Sequence, residues 1–95
     1  MNTTDLISII VDKDAAGQER IEAIKQLDVI RSREKEERRR GVIHLGELSG
    51  QEALRRVIQR QRDQLEVRCH AASVAAKTDS KSALEWCNEM IQRYC

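Results

Sequence analysis

Cys69, His70, Cys87 and Cys95 are the side chains here best suited to hold a metal. Together they offer four sulfur or nitrogen donors, the number that a structural zinc site takes. Their spacing works against convergence. Cys87 and Cys95 stand about 12 Å apart along a helix axis, and the adjacent Cys69 and His70 point about 100° apart. Cys69 and Cys87 are therefore expected as small core residues and Cys95 as a terminal thiol. Neither His70 nor the remaining histidine, His44, lies in a triad-like or HExxH-type context, and the four glycines are too scattered for a phosphate loop. The expectation is no metal, no cofactor, no small-molecule substrate and no catalysis.

Arginine carries the other chemistry. It outnumbers lysine twelve to five, and a guanidinium holds carboxylate or phosphate in a planar, bidentate way that an ammonium cannot. The ten residues 31–40, RSREKEERRR, contain nine charges and no apolar side chain. Arg38, Arg39 and Arg40 close that run, and Arg55, Arg56, Arg60 and Arg62 follow on the next helical segment. If both clusters faced one side they would neutralise several phosphates with a salt-sensitive affinity. The bland alternative is a solvated helix face laced by internal ion pairs, since three acids interrupt the run and no aromatic lies near it for base stacking. The basic regions of leucine-zipper and helix–loop–helix DNA-binding proteins are a superficial parallel only. The Asn-centred pattern of the first is missing, and the E-R-x-R-R signature of the second is only approximated by Glu37 to Arg40.

These residues need scaffolding, and the core material is thin. Phenylalanine is absent and the only aromatics are Trp86 and Tyr94, so Ile, Leu, Val and Ala must fill the interior. A 95-residue chain suits one domain but buries only about two-thirds of its unfolded surface, which favours self-association. The absence of proline leaves long helices uninterrupted. The net charge of +1 conceals an acidic residues 1–30 (six acids, three bases) joined to a basic 31–42 (six bases, three acids). No basic, apolar leader is evident, the longest apolar patch is far short of a membrane span, and three cysteines suit reduced thiols; a cytoplasmic setting is expected.

The periodicities predict one helical domain over 1–95. A short helix, or a strand given its isoleucines, covers 4–12, with Thr3 or Thr4 as cap. A long helix over 15–40 follows, with Asp14 as its cap, Ile21, Ile24, Leu27 and Ile30 inward, and Glu34–Arg38 and Glu36–Arg40 as i,i+4 pairs. An apolar connector occupies 41–48, with Gly41 as a helix stop. The segment Ser49-Gly50-Gln51-Glu52 reads as a capping box for a helix over 50–77, whose stripe is Leu54, Ile58, Gln61, Leu65, Cys69, Ala72 and Ala76. The last helix, 80–95, has Ala83, Leu84, Cys87, Met90, Ile91 and Tyr94 on its apolar face and Trp86 off it.

The expected architecture is all-α: an elongated helical bundle or coiled-coil-like assembly, self-associating, with the charged half of the long helix projecting into water. The expected function is non-catalytic: a small adaptor, inhibitor or regulatory subunit that presents a helical face and an Arg-rich arm to another protein. Small helical proteins of this style are common among accessory products of phages and other mobile elements, although no motif here carries that association. The alternative is a nucleic-acid-binding accessory protein that uses residues 38–40 and 55–62. Trp86 is either an interface anchor or a cover for the bundle end. Protein binding implies that Trp86→Ala or Leu54→Ala weakens association while Arg38→Ala hardly matters. Nucleic-acid binding implies the reverse, with affinity falling steeply as salt rises.

Overall fold

Asn2 starts the first helix, its side-chain oxygen accepting the Asp5 amide at 2.9 Å. The cap thus falls just before Thr3 and Thr4, which both lie inside the helix. The structure, a computed structural model, describes residues 2–41 and 48–94. Its elements are α1 (Thr3–Val11), α2 (Gly17–Arg39), α3 (Gln51–Gln59), α4 (Leu65–Thr78) and α5 (Ser80–Tyr94), and no strand occurs among the described residues. The isoleucines of α1 are helical because Leu6 and Ile10, one turn apart, are both buried in the core.

Several local signals act differently from their sequence appearance. Asp14 does not cap α2. Its amide closes a turn onto the Asp12 side chain at 2.9 Å, and Ala16 precedes the helix with no side-chain cap. Ser49 does not cap α3 either. Its amide and hydroxyl both reach the Glu34 carboxylate, at 3.0 and 2.8 Å, while Gly50 takes the cap position in the left-handed conformation, φ +73°. Of the two ion pairs expected on α2, Glu36–Arg40 forms at 3.5 Å. Glu34 instead serves Ser49. Gly41, at φ +86°, ends α2 in the conformation that favours glycine. Asp79 starts α5, accepting the amide and hydroxyl of Ser82. Of the apolar connector over 41–48, residues 42–47, including His44, lie outside the described residues; Leu48 is buried.

The single helix expected over 50–77 is two helices, α3 and α4, separated by residues 60–64. No proline or glycine marks that break. Tertiary contacts make it: Arg60 leaves helical geometry and donates to the Val11 carbonyl at 2.8 Å, while Asp63 caps the Gln64 amide at 2.8 Å and faces Arg20. The interruption also resets the helical phase. Had the helix continued, Leu65, Cys69, Ala72 and Ala76 would stay in line with the buried Leu54 and Ile58. Instead Val67, Ala71, Val74, Ala75 and Thr78 turn inward.

α4 is the centre of the molecule, with α2, α3 and α5 against it, while α1 packs on α2 and α3. Ala71 and Ala75 have no exposed surface. Small side chains let three neighbours approach one helix. Around them Leu6, Ile10, Ile24, Leu27, Leu54, Val57 and Trp86 form one continuous core. The radius of gyration is 13.2 Å, against about 12 Å for a compact chain of this length. The bundle is therefore not the elongated, coiled-coil-like shape expected from the charged run. The physical reason is that the run is anchored at its start by Arg31, which is wholly buried.

At Gly50 an added Cβ would meet Leu27 Cδ2 at 2.5 Å, on backbone already at positive φ. Gly50→Ala is expected to destabilise the fold by about 1–3 kcal/mol through overpacking and strain. Urea unfolding checks this as a lower midpoint with an unchanged slope.

Candidate interaction surface

Four arginines, Arg20, Arg31, Arg60 and Arg68, are spent on contacts within the protein, and only Arg60 among them belongs to the two basic clusters. Arg20 is fully buried. Its Nε and Nη2 donate to the Ile10 carbonyl at 3.0 and 2.8 Å, and its Nη1 and Nη2 grip Asp63 bidentately at 2.6 and 2.7 Å. Arg60 adds the Val11 carbonyl, so two guanidinium groups satisfy the carbonyls that end α1, where a helix carries partial negative charge. Arg68 does the same for α3, donating to the Ile58 carbonyl at 3.2 and 3.0 Å. Lys35 Nζ reaches the Lys77 carbonyl at the end of α4.

Arg31 makes a second knot. Its Nε donates to Thr78 Oγ1 at 3.0 Å, Nη1 to the Ser49 carbonyl at 2.9 Å and Nη2 to Gln51 Oε1 at 2.9 Å. Gln51 passes the network to Asp79 at 3.1 Å. Burial pushes the Arg31 pKa below its ordinary value, and the charges of Asp79, Glu34 and Asp28 pull it back up. Burial opposes ionisation of Asp79, yet the hydrogen bonds from Ser82 and Gln51 and the charge of Arg31 hold its pKa below the ordinary range. Among the described residues no buried side-chain nitrogen or oxygen lacks a partner.

The two basic clusters are not brought together. Arg60 is committed to α1 and Asp63, and Arg55 pairs with Glu89 at 3.4 Å. Arg39 and Arg40 are about three-quarters exposed and share Glu36. Arg38 is exposed at the same end of α2. Arg62 lies in the turn that docks on Arg20, and Arg20 and Arg39 stand about 28 Å apart along α2 at the standard helical rise. Arg56 is exposed on α3. What remains of the proposed basic face is one arm, Arg38–Arg40, and separate arginines elsewhere.

Trp86 is a core residue, 6% exposed. α5 is rolled so that Ala83 and Trp86 face inward and Leu84, Cys87 and Ile91 face out, which corrects the expected apolar face. Leu54 is likewise fully buried, so substitutions at Trp86 or Leu54 report on folding before binding. Cys69 and Cys87, expected in the core, are exposed. Among the described residues no three His, Cys, Asp or Glu side chains converge as a metal site would require. No helix there is long and apolar enough to cross a membrane.

The surface that sequence reasoning missed lies on α4 and α5. Leu65 is 72% exposed, Leu84 63% and Ile91 59%. Leu65, Cys69, Ala72, Cys87 and Ile91 border one shallow groove of about 280 Å³, floored by Ile58, Met90 and the stem of Arg68. Periodicity places Leu65, Cys69, Ala72, Cys87 and Ile91 on interior stripes, whereas the structure leaves them at this rim. α4 carries two apolar stripes, and only the break at 60–64 decides which one is buried. Against known protein families, curated proteins and solved structures, the chain has no match.

Asp63 offers a pH test of the inner network. The hydrogen bonds from Arg20 outweigh burial and hold its pKa at about 2, from an ordinary 3.8. A carboxyl whose pKa is lower in the folded state stabilises the fold above its unfolded pKa. That stability is lost as pH falls from about 4 through about 2, and amounts to about 2 kcal/mol. Urea midpoints should fall over that interval in the wild type. In Asp63→Asn the midpoint should be lower at neutral pH and lose less on acidification.

Proposed function

We propose that this chain is a non-catalytic protein-binding module whose docking face is the outward side of α4 and α5, with the arginine arm at the end of α2 as a secondary, electrostatic contact. One observation carries the reading. Leu65 and Ile91 stand in water at the rim of one groove, and Leu84 stands exposed further along α5, on a surface otherwise rich in charge. Scattered exposed aliphatics are ordinary, but a contiguous apolar patch rimmed by polar groups is characteristic of an interaction site. Charge is sparse there, as at the centres of protein interfaces.

Nucleic-acid binding is supported less well. The accessible arginines are divided between opposite ends of α2, and Glu36 sits between Arg39 and Arg40. Its remaining support is the exposed arm itself.

Affinity capture with and without nuclease separates the two. Proteins retained by the wild type should survive nuclease treatment, be lost with Ile91→Glu, and persist when Arg38, Arg39 and Arg40 are all replaced by alanine. A DNA or RNA gel shift abolished by the triple replacement, with capture insensitive to Ile91→Glu, would overturn the protein-binding reading.

A further inference from the structure

Leu84 and Ile91 stand in water seven residues apart on α5, with the exposed Cys87 between them. We propose that this face receives a second copy of the same chain, with the two α5 helices antiparallel and the two Cys87 side chains adjacent at a two-fold axis. The inference rests on the protein-binding reading above and names the occupant.

The spacing suits self-recognition. A seven-residue apolar spacing suits the seam of a helix pair, and one whose midpoint falls between Cys87 and Asn88 is matched by its own reversal, with the two Cys87 positions one residue out of register. Leu84 of one copy then packs beside Ile91 of the other, and the reverse contact follows by symmetry, as in any closed two-fold interface. The small Cys87 near the centre allows close approach. Leu65, Cys69 and Ala72 on α4 extend the patch beside it.

Charge selects both the partner and the orientation. α4 and α5 run antiparallel within one chain, since only Asp79 separates them and Arg68, near the start of α4, reaches Met90 Sδ, near the end of α5, at 3.6 Å. Lys77 turns away to Asp28 on α2 at 3.2 Å. Among the described residues, Glu66, Lys81 and Glu85 are exposed on these helices without a charged partner. Glu66 lies at one end of the face and Lys81 at the other. An antiparallel dimer brings Glu66 of each copy to the end where Lys81 of the other lies, making two complementary pairs. A parallel pairing would instead set each Lys81 and each Glu85 beside its own copy. Neither a basic nor an acidic partner is favoured, because the face is almost neutral.

The area required is a modest share of the surface. A standard-size specific interface takes about 800 Å² from each partner, roughly an eighth of the 6241 Å² surface of this chain. The face that has to supply it runs along α4 and α5, of 14 and 15 residues, about 21 and 22 Å at the standard helical rise.

Sedimentation across a concentration series, with the full chain under reducing conditions, tests this. The wild type should form a dimer that dissociates on dilution. Leu84→Glu should be monomeric with unchanged helicity, because that side chain lies outside the core. In a Cys69→Ser, Cys95→Ser background a short bismaleimide should couple two chains through Cys87, whereas Cys69 alone should not couple. Lys81→Glu should weaken the dimer several-fold, and Glu66→Lys in the same chain should restore it. A wild type monomeric up to millimolar concentration overturns the inference, as does a dimer that survives Leu84→Glu or fails to couple through Cys87. If the chain is monomeric while Ile91→Glu still abolishes protein capture, the occupant is a different protein and the docking face stands. If neither association nor capture responds to these variants, the protein-binding reading falls as well.

Discussion

One guanidinium holds the ends of three elements in register. Arg20, near the start of α2, takes up the Ile10 carbonyl in the last turn of α1 and the Asp63 carboxylate that follows α3. Without Asp63 it would be a buried, unpaired cation, and breaking such a pair costs about 3–5 kcal/mol. That penalty is what interrupts an otherwise continuous helical sequence between Gln59 and Leu65. The interruption fixes the phase of α4, and α4 is the helix on which α2, α3 and α5 assemble. The identity of the buried stripe, and therefore of the exposed one, follows from a single ion pair.

Helical class was legible because proline is absent and the apolar residues recur at threes and fours. The second helix could be read closely: Ile21, Ile24 and Leu27 are buried as its stripe implies, and Gly41 ends it. What the sequence concealed was polar and long-range. A capping box and a Ser hydroxyl promised to Glu34 look alike in one dimension. Arg31 reads as the first residue of a solvated run, yet three acceptors from three separate segments draw it inside. The break at 60–64 has no local breaker residue, since its cause lies some forty residues earlier at Arg20. The proposed docking face is hidden in the sequence for the same reason. Leu65, Leu84 and Ile91 all belong to good apolar stripes, and periodicity alone cannot rank two stripes on one helix.

The outcome is a partial inversion of the usual arrangement of a small domain. Guanidinium groups occupy interior positions that aromatic rings would otherwise fill, and they satisfy helix ends while doing so. Aliphatic side chains are left outside on one face of α4 and α5. Four large apolar side chains stand in water, Val29 alone on α2 and Leu65, Leu84 and Ile91 together on α4 and α5, and it is the grouping of the last three that motivates the proposed docking face. Arg20, Arg31, Arg60 and Arg68 thus serve architecture, and the proposed docking role falls to a patch whose composition is bland. Only the end of α2 keeps exposed arginines as a group, each of Arg39 and Arg40 already sharing an acid.

The most direct test of this account is a methyl and amide NMR dilution series on the wild-type protein, which reports which atoms sense a partner without altering any residue. The account predicts concentration-dependent shifts confined to Leu65, Ala72, Leu84, Ile91 and their helical neighbours, with the buried Ile24 and Leu54 methyls unmoved. Shifts centred on residues 33–41, or none at any concentration, would contradict it.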